Sequence, residues 1–286
     1  MIVFSGTRST ALAWEVAKEL RTNLGKSEVS SFPDGELYIR IDTPVKGKEC
    51  ALVQSTRTNQ DLVELLLTLD TLKDLGATQV HAVIPYMGYA RQDKRFKEGE
   101  SLSAKIVLKM INEVSDSITT INCHFLDGAG ESYYNNVHFN NLDAIPLIVE
   151  YFRNKAAKPL FIAPDKGSMG YAKEAAKQLN CEFDHLQKTR LSGTEVVIKN
   201  KKLSVKGMDV IMLDDIISTG GTIVEAAKVI RSWRPNSVSV GCVHGLFLKG
   251  MEIFQGAVDR LIATNTLDNP ASKVSVAGLI AGHLKR

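Results

Sequence analysis

The segment Asp214–Thr222, DDIISTGGT, lies between an apolar run, Val210–Leu213, and a helical pattern, Ile223–Trp233. A short run of consecutive apolar residues is typical of a buried strand. Apolar residues that recur three and four positions apart, as they do after the segment, are typical of an amphipathic helix. The segment therefore predicts a strand–loop–helix unit of an α/β protein.

The loop itself carries acids, hydroxyls and glycines in a specific order. Asp214 and Asp215 end the predicted strand, and ligands of open α/β sheets bind beyond the carboxyl ends of strands. Ser218–Gly221 place hydroxyls and accessible backbone N–H groups before a helix start, where phosphate is favoured. Thr222 and Glu225 have the spacing of a capping box, which predicts that the helix opens there. Taken alone the loop could be a plain turn beside solvated acids, but acids and phosphate loop together predict a sugar-phosphate site.

Strand and helix patterns alternate along most of the chain. The predicted strands are Ile2–Phe4, Cys50–Gln54, Val80–Pro85, Ile118–Cys123, Leu160–Ala163, Val210–Leu213, Val238–Val243 and Leu261–Ala263. Continuous apolar strands separated by helices predict mostly parallel sheets with helices on both faces. A polar stretch at 138–143 predicts a boundary between two similar α/β domains, residues 1–142 and 143–286.

One region departs from this alternation. Leu37–Ile41 alternates apolar and polar residues, next to Val29–Phe32 and the turn triplet Pro33-Asp34-Gly35. This pattern predicts a hairpin that projects from the sheet as a flap.

Composition excludes several function classes. The 286 residues include 35 basic and 32 acidic side chains, a net charge of +3 that does not indicate a nucleic-acid-binding surface. No window approaches the roughly 20 apolar residues that cross a bilayer, and MIVFSGTRST lacks the pattern of a signal peptide. The cysteines form no CxxC pair, which favours reduced thiols and a cytoplasmic protein without membrane partners.

The segment 214–222 resembles the phosphoribosyl-diphosphate (PRPP) binding motif of type I phosphoribosyltransferases and PRPP synthetases. The resemblance implies a ribose 5-phosphate site made by Asp214, Asp215, Ser218, Thr219, Gly220, Gly221 and Thr222. Because both families use the motif, it leaves three alternatives open: a synthetase that makes PRPP, a transferase that consumes it, and a non-catalytic regulator on the same fold.

Two further segments resemble ribose-phosphate diphosphokinase, the PRPP synthetase family, and its archaeal members in particular. Phe32-Pro33-Asp34-Gly35-Glu36 matches the family's flap, which contacts the adenine of ATP from a neighbouring subunit. The resemblance therefore implies ATP contacts at Phe32, Asp34, Gly35 and Glu36, and at least a homodimer. Pro85–Arg95 leaves a strand and becomes rich in Arg and Lys, and the resemblance assigns ATP binding to Arg91 and Gln92. Taken alone, these segments would be a hairpin turn and a solvated charge run.

The metal and catalytic candidates also come from the resemblance. It implies that His124 and Asp165, each after a predicted strand, hold Mg²⁺ with the ATP phosphates, and that Lys188 and Arg190 are catalytic. Arg190 would also contact ribose 5-phosphate. Taken alone, a strand-end histidine and a pair of cations would be structural or solvent-facing.

The chain departs from the family pattern around His124. Many relatives have Asp-Leu-His where this chain has Asn122-Cys123-His124, and a Gln-rich segment ending in Gly-Phe-Phe where it has Gly128–Tyr134. The reaction that the resemblance implies is ATP + D-ribose 5-phosphate → AMP + PRPP.

Overall fold

The computed structural model describes residues 1–126, 128–190, 196–199 and 204–285, with only the backbone described for 187–190 and 196–199. The chain forms two compact units. The first contains Met1–Asp143 with Thr266–Asp268 and Ser275–Arg286, and the second contains Ala144–Asn265 with Asn269–Val274. Two C-terminal segments thus pack with the first unit, so a single cut after residue 142 does not describe the packing.

The strands in the first unit are β1 (Ile2–Ser5), β2 (Ser27–Ser31), β3 (Leu37–Ile41), β4 (Glu49–Val53), β5 (Gln79–Ile84), β6 (Ser117–Ile121), β7 (Gly130–Tyr134) and β8 (Val137–Leu142). Those in the second are β9 (Pro159–Ala163), β10 (Glu182–His185), β11 (Gln187–Arg190), β12 (Val196–Lys199), β13 (Asp209–Ile217), β14 (Ser237–Gly245), β15 (Arg260–Thr264) and β16 (Ser272–Val274). The α-helices are α1 (Thr10–Leu20), α2 (Asn59–Asp74), α3 (Ser103–Glu113), α4 (Ile145–Arg153), α5 (Met169–Leu179), α6 (Gly221–Ser232) and α7 (Ala277–Leu284).

Each unit is built on a mostly parallel sheet. The first sheet has the order β1-β4-β5-β6-β8-β7, parallel except for β7, which pairs antiparallel with β8. The second has the order β10-β9-β13-β14-β15-β16 and is parallel throughout. The predicted α/β class with parallel sheets and helices is confirmed.

The central strands are apolar along their length because helices cover them. In β4, four consecutive residues from Cys50 to Val53 are buried. Leu65, Leu69 and Leu72 of α2 lie in the same core as Leu52, fully removed from solvent. A capping box between Thr58 and Asp61 starts α2, and such a cap contributes about 1 kcal/mol.

The flap is an antiparallel hairpin of β2 and β3, as predicted. Gly35 has a φ of 95°, and the Phe32 N–H donates to Glu36 O across the tip at 2.8 Å. A three-residue loop with glycine in the left-handed region is a common hairpin closure. The Pro33-Asp34-Gly35 triplet therefore determines where the flap turns.

Two strands differ from expectation. The polar stretch 138–143, where the sequence predicts the domain boundary, contains most of β8, in which Val137 and Phe139 are buried at alternating positions, and the continuous part of the first unit ends at Asp143. Strand β13 does not end at Leu213 but continues to Ile217, so the two acids lie within its last half. In both strands, polar residues interrupt the apolar pattern, so the sequence does not show the continuous apolar run by which the other strands were predicted.

Among the described residues, no helix combines the length and the apolar character needed to cross a membrane. The four cysteines are free thiols, and three of them, Cys50, Cys123 and Cys242, are buried.

Candidate active site

The predicted sugar-phosphate residues of the second unit lie at the carboxyl edge of its sheet. Asp214 and Asp215 lie on β13, whose neighbours in the sheet are β9 and β14. Asp165 follows the end of β9 by two residues. Because parallel strands end at one edge, the three acids share that edge.

The start of α6 differs from the predicted capping box. The helix begins at Gly221, and its N-cap is Gly220, which makes no side-chain capping bond. Gly220 has a φ of 80°, and a Cβ there would lie 2.5 Å from Phe254 Cζ. Thr222 is therefore the second helical residue rather than the cap. No side chain of the N-cap residue binds the backbone N–H groups of this first turn, an arrangement that is typical of phosphate sites.

The carboxylates behind this loop influence one another. Burial raises the pKa of Asp214, and the nearby carboxylates of Asp215 and Asp165 raise it further, to about 8. Like charges held together in a half-buried place favour a proton, a cation or hydrogen-bond donors between them. Sugar hydroxyls provide such donors, and a divalent cation provides the opposing charge.

A short turn orients Asp165. Its Oδ1 accepts from the Ser168 backbone N–H at 3.2 Å and from Ser168 Oγ at 3.0 Å. Ser168 is 1% exposed, whereas Asp165 is exposed. Sequence reasoning did not identify Ser168, although the Asp-x-x-Ser spacing at the start of α5 was a usable signal.

The residues proposed as catalytic lie on β11. Its backbone is extended and pairs antiparallel with β12, with Lys188 opposite Ile198 and Arg190 opposite Val196. The side chains of Lys188 and Arg190, and residues 191–195, lie outside the described residues.

His124 lies in the first unit, in a turn after β6, and is exposed. Asn122 adopts a left-handed conformation with a φ of 38°, and its Nδ2 donates to Asp143 Oδ1 at 2.8 Å. Asn141, on β8, accepts from the Cys123 N–H at 2.9 Å and donates to Gly128 O at 2.7 Å. Asparagines thus fix the turn at the place where the chain departs from the family pattern. The role of Asn141 left no local signal, because its partner Cys123 is 18 residues away.

The loop that carries Arg91 and Gln92 follows β5, the neighbour of β6 in the first sheet. Gly88 packs so closely on Thr56 that a Cβ would lie 2.0 Å from Thr56 O. Tyr89 has a φ of 64°, and its hydroxyl donates to Asn59 Oδ1. A left-handed residue other than glycine costs of order 1 kcal/mol or more and is typical of functional loops.

Glu100 holds the far end of this loop. Its Oε2 accepts from the N–H groups of Phe96 at 2.7 Å and Lys97 at 3.0 Å, and from Gln92 Nε2 at 3.3 Å. The bond from Phe96 N–H, followed by that from Lys97, lowers the pKa of Glu100. Arg91 is exposed and Gln92 is half-buried. Glu100 was not predicted, and it orients one of the two residues that were.

The flap tip presents its predicted residues to solvent. Phe32 is 51% exposed, and Asp34, Gly35 and Glu36 are exposed as well. Asp34 Oδ1 accepts from the Glu36 N–H at 3.2 Å, so this carboxylate also stabilises the turn.

The donors available to Mg²⁺ are few. Among the described residues, no three His, Cys, Asp or Glu side chains form a group that could cage a metal ion. Magnesium at nucleotide sites usually takes one or two carboxylates together with phosphates and waters. Asp165, an exposed carboxylate oriented by Ser168 beside two further acids, fits that requirement.

Comparisons with known proteins cover both halves of the chain. Residues 1–114 match the N-terminal domain of ribose phosphate pyrophosphokinase, and residues 136–251 match the phosphoribosyl transferase domain. The chain is 42% identical to ribose-phosphate pyrophosphokinase 2 of Archaeoglobus fulgidus, over 96% of this chain and 97% of that protein. It is 43% identical to the ribose-phosphate pyrophosphokinase of Methanothermobacter thermautotrophicus, over 99% of this chain and 100% of that protein.

A solved structure supports the same assignment. The phosphoribosylpyrophosphate synthetase of Mycobacterium smegmatis matches with a TM-score of 0.84 and 27% identity, covering 99% of this chain and 97% of that one. The fold is α/β, and its second half has the phosphoribosyl transferase domain. Similarity over the full length is more specific: the chain belongs to the ribose-phosphate pyrophosphokinase family. Neither the transferase alternative nor the regulator alternative is favoured.

Proposed function

We propose that this chain transfers the β,γ-diphosphoryl group of ATP to the C1 hydroxyl of D-ribose 5-phosphate, with release of AMP and PRPP. The observation that carries the proposal is the uncapped start of α6 beside a cluster of carboxylates. The curated relatives that match over nearly their full length are ribose-phosphate pyrophosphokinases, which supports the synthetase reaction for this site.

The second unit would bind the acceptor. The 5-phosphate sits on the N–H groups at the start of α6 and on the hydroxyls of Ser218, Thr219 and Thr222. Asp214 and Asp215 accept hydrogen bonds from the ribose hydroxyls, which stabilise the Asp214 carboxylate against the burial and the neighbouring charges that raise its pKa. The carboxylates thus face the neutral part of the substrate and the phosphate lies beyond them.

The first unit would bind the donor. Arg91 offers a planar guanidinium to the polyphosphate, and Gln92, oriented by Glu100, binds beside it. Phe32 provides an exposed ring for stacking on adenine, and the tip residues Asp34 and Glu36 provide acceptors for its amino group.

In the reaction, the C1 oxygen attacks the β-phosphorus, the bond from that phosphorus to the α,β-bridging oxygen breaks, AMP leaves with that oxygen, and the hydroxyl proton is released to solvent. Lys188 and Arg190 stabilise the charge that develops on the transferred group and on the leaving AMP oxygen. His124 and Asp165 would hold Mg²⁺, which neutralises phosphate charge when it is bound. The protein's own contribution is positioning and electrostatics, and no covalent enzyme intermediate is required.

A direct assay tests the reaction. Protein is incubated with Mg²⁺, ATP and ribose 5-phosphate, and nucleotide products are separated by chromatography. AMP that appears only when the sugar phosphate is present supports the proposal. ADP, or AMP independent of the sugar, contradicts it, and diphosphate released from PRPP with a nucleobase would favour the transferase alternative.

We also propose that the active form is at least a homodimer in the cytoplasm, with each flap serving the partner's site. The support is the exposed flap tip together with the family resemblance. Phe32→Ala and Lys188→Ala variants, each less active than the wild type at subsaturating ATP, would then show higher activity when their subunits are mixed. Random mixing of two-fold dimers leaves about a quarter of the sites intact. Light scattering that shows a monomer, or mixtures without recovered activity, would contradict this arrangement.

A further inference from the structure

The hairpin of β7 and β8 closes the edge of the first sheet next to the loop assigned to ATP. Asn135 and Asn136 connect the strands with φ values of 48° and 66°. Two consecutive left-handed residues form the turn that matches the twist of a hairpin, and asparagine tolerates this conformation. The turn and the pairing of β8 with β6 determine which side chains of β7 face inward.

Tyr134 is one of these inward side chains, whereas its neighbour Tyr133 is 73% exposed. The Tyr134 ring packs on Phe125, with centroids 4.7 Å apart, and Phe125 in turn packs on the buried Phe139 at 6.3 Å. The Tyr134 hydroxyl donates a hydrogen bond to the main-chain carbonyl of Asp93. One side chain therefore contacts both the residue after His124 and the residue after Gln92.

The bond to Asp93 comes from outside the ATP loop. Glu100 holds the distal part from within the loop, and Arg95 Nε donates to Glu100 O at 2.8 Å. From outside the loop, the Ala104 N–H of α3 donates to Gln92 O at 3.3 Å, so the helix also holds the backbone at Gln92. The hydrogen bond from Tyr134 adds an attachment to strand β7, which restricts the motion of the backbone beside Gln92 relative to the sheet.

We propose that Tyr134 is a positioning residue for the ATP site. Through its hydroxyl it holds the backbone at Asp93, and through its ring it supports Phe125, so that Arg91–Gln92 and His124 keep one relative arrangement. The inference rests on the proposed function of those residues in binding Mg-ATP. It also assigns a role to the segment Gly128–Tyr134, where the chain departs from its family.

The test compares Tyr134→Phe, which keeps the ring and removes the hydroxyl, with Tyr133→Phe as the matched control on the outward face. Tyr134→Phe is expected to raise the KM for ATP about fivefold, the loss expected for one neutral hydrogen bond. The KM for ribose 5-phosphate and the kcat should stay within about twofold, and Tyr133→Phe should leave all three unchanged.

Hydrogen exchange distinguishes a local positioning role of Tyr134 from a general contribution to the stability of the fold. Amides at 91–97 should exchange faster in Tyr134→Phe, with no change in α1 or α2. Calorimetric binding of Mg-ATP without the sugar separates this inference from the proposed function. If the wild type binds Mg-ATP but forms no PRPP, only the proposed reaction fails. An unchanged ATP affinity in Tyr134→Phe, or an equal rise of both KM values with a lowered Tm, would overturn the positioning role.

Discussion

Phe32 and Tyr38 pack edge to face on one side of the flap, with ring centroids 5.9 Å apart and ring planes at 85°. In the register of the hairpin Tyr38 lies opposite Ser30, one pair away from the tip, so the two aromatic residues are diagonal neighbours on the same face. Ser30 is small and leaves space beside the ring. The half-buried Tyr38 therefore supports the exposed ring that we assign to adenine stacking.

Replacing Tyr38 tests this support. Tyr38→Ala should raise the KM for ATP by about twofold to tenfold, since an edge-to-face pair contributes about 0.5–1.5 kcal/mol. Tyr38→Phe retains the ring contact and should resemble the wild type. Initial rates at saturating ribose 5-phosphate measure the effect. If Tyr38→Ala binds ATP normally, Phe32 does not need this contact.

Lys188→Ala tests the assignment of catalysis to β11. We expect kcat to fall by at least about tenfold with a modest change in either KM, because the contact strengthens in the transition state. Lys206→Ala, an exposed lysine of the same unit, is the control. An unchanged kcat in Lys188→Ala would remove Lys188 from the catalytic role.

Two adjacent glycines at the start of α6 give a matched pair for stability. Gly220→Ala introduces a side chain at a φ of 80° and against Phe254, and should lower the free energy of unfolding by about 1–3 kcal/mol. Gly221→Ala meets no atom within 4 Å and should change it by less than about 0.5 kcal/mol. Urea unfolding monitored by circular dichroism measures both. Equal losses in the two variants would contradict the left-handed cap.

Asp209 provides a pH-dependent contribution to stability at the amino end of β13. Burial alone would raise its pKa, but hydrogen bonds from Lys158 N–H, Asn236 Nδ2, Ser237 Oγ and Ala157 N–H outweigh it and lower the pKa below 3.8. Because the pKa of Asp209 is lower in the folded state than in the unfolded chain, its contribution to stability is complete above the unfolded-state pKa. That contribution is lost as the pH falls through the folded-state pKa.

Asp209→Asn should therefore be less stable than the wild type at pH 6, by about 1–3 kcal/mol. The difference should shrink as the pH falls below the unfolded-state pKa of 3.8 and through the lower folded-state pKa, because the wild-type carboxyl takes up a proton over that range. Asp70→Asn, an exposed carboxylate on α2, is the control and should track the wild type. A difference that stays constant between pH 6 and pH 3 would contradict the role of the charge.

Much of the fold could be predicted because its signals are local. The apolar run at Cys50–Val53 and the spacing of leucines in α2 indicate a strand and a helix within a few residues each. The flap followed from Pro33-Asp34-Gly35. Two strand assignments were not predicted, because polar residues interrupt the apolar pattern of the strand. In β8 these are the outward-facing polar residues, and in the second half of β13 they are the two acids.

The start of α6 shows why the site was harder to predict than the fold. Thr222 and Glu225 have the correct spacing for a capping box, and nothing nearby in the sequence opposes it. The helix nevertheless starts at Gly221, after a left-handed Gly220 whose surroundings include Phe254 from a distant part of the chain. A propensity of about 1 kcal/mol is easily outweighed by such packing.

By itself, the sequence determined the α/β class, because that class depends on patterns of residues that are close along the chain. It also predicted the phosphate loop and, through the family resemblance, the candidate ligands. Only the tertiary structure determined which side chains hold those ligands in place. Tyr134 reaches Asp93 across 41 residues, and Asn141 reaches Cys123 across 18. Such contacts depend on which strands become neighbours in the sheet, and strand order is set by packing of the whole unit rather than by any local pattern.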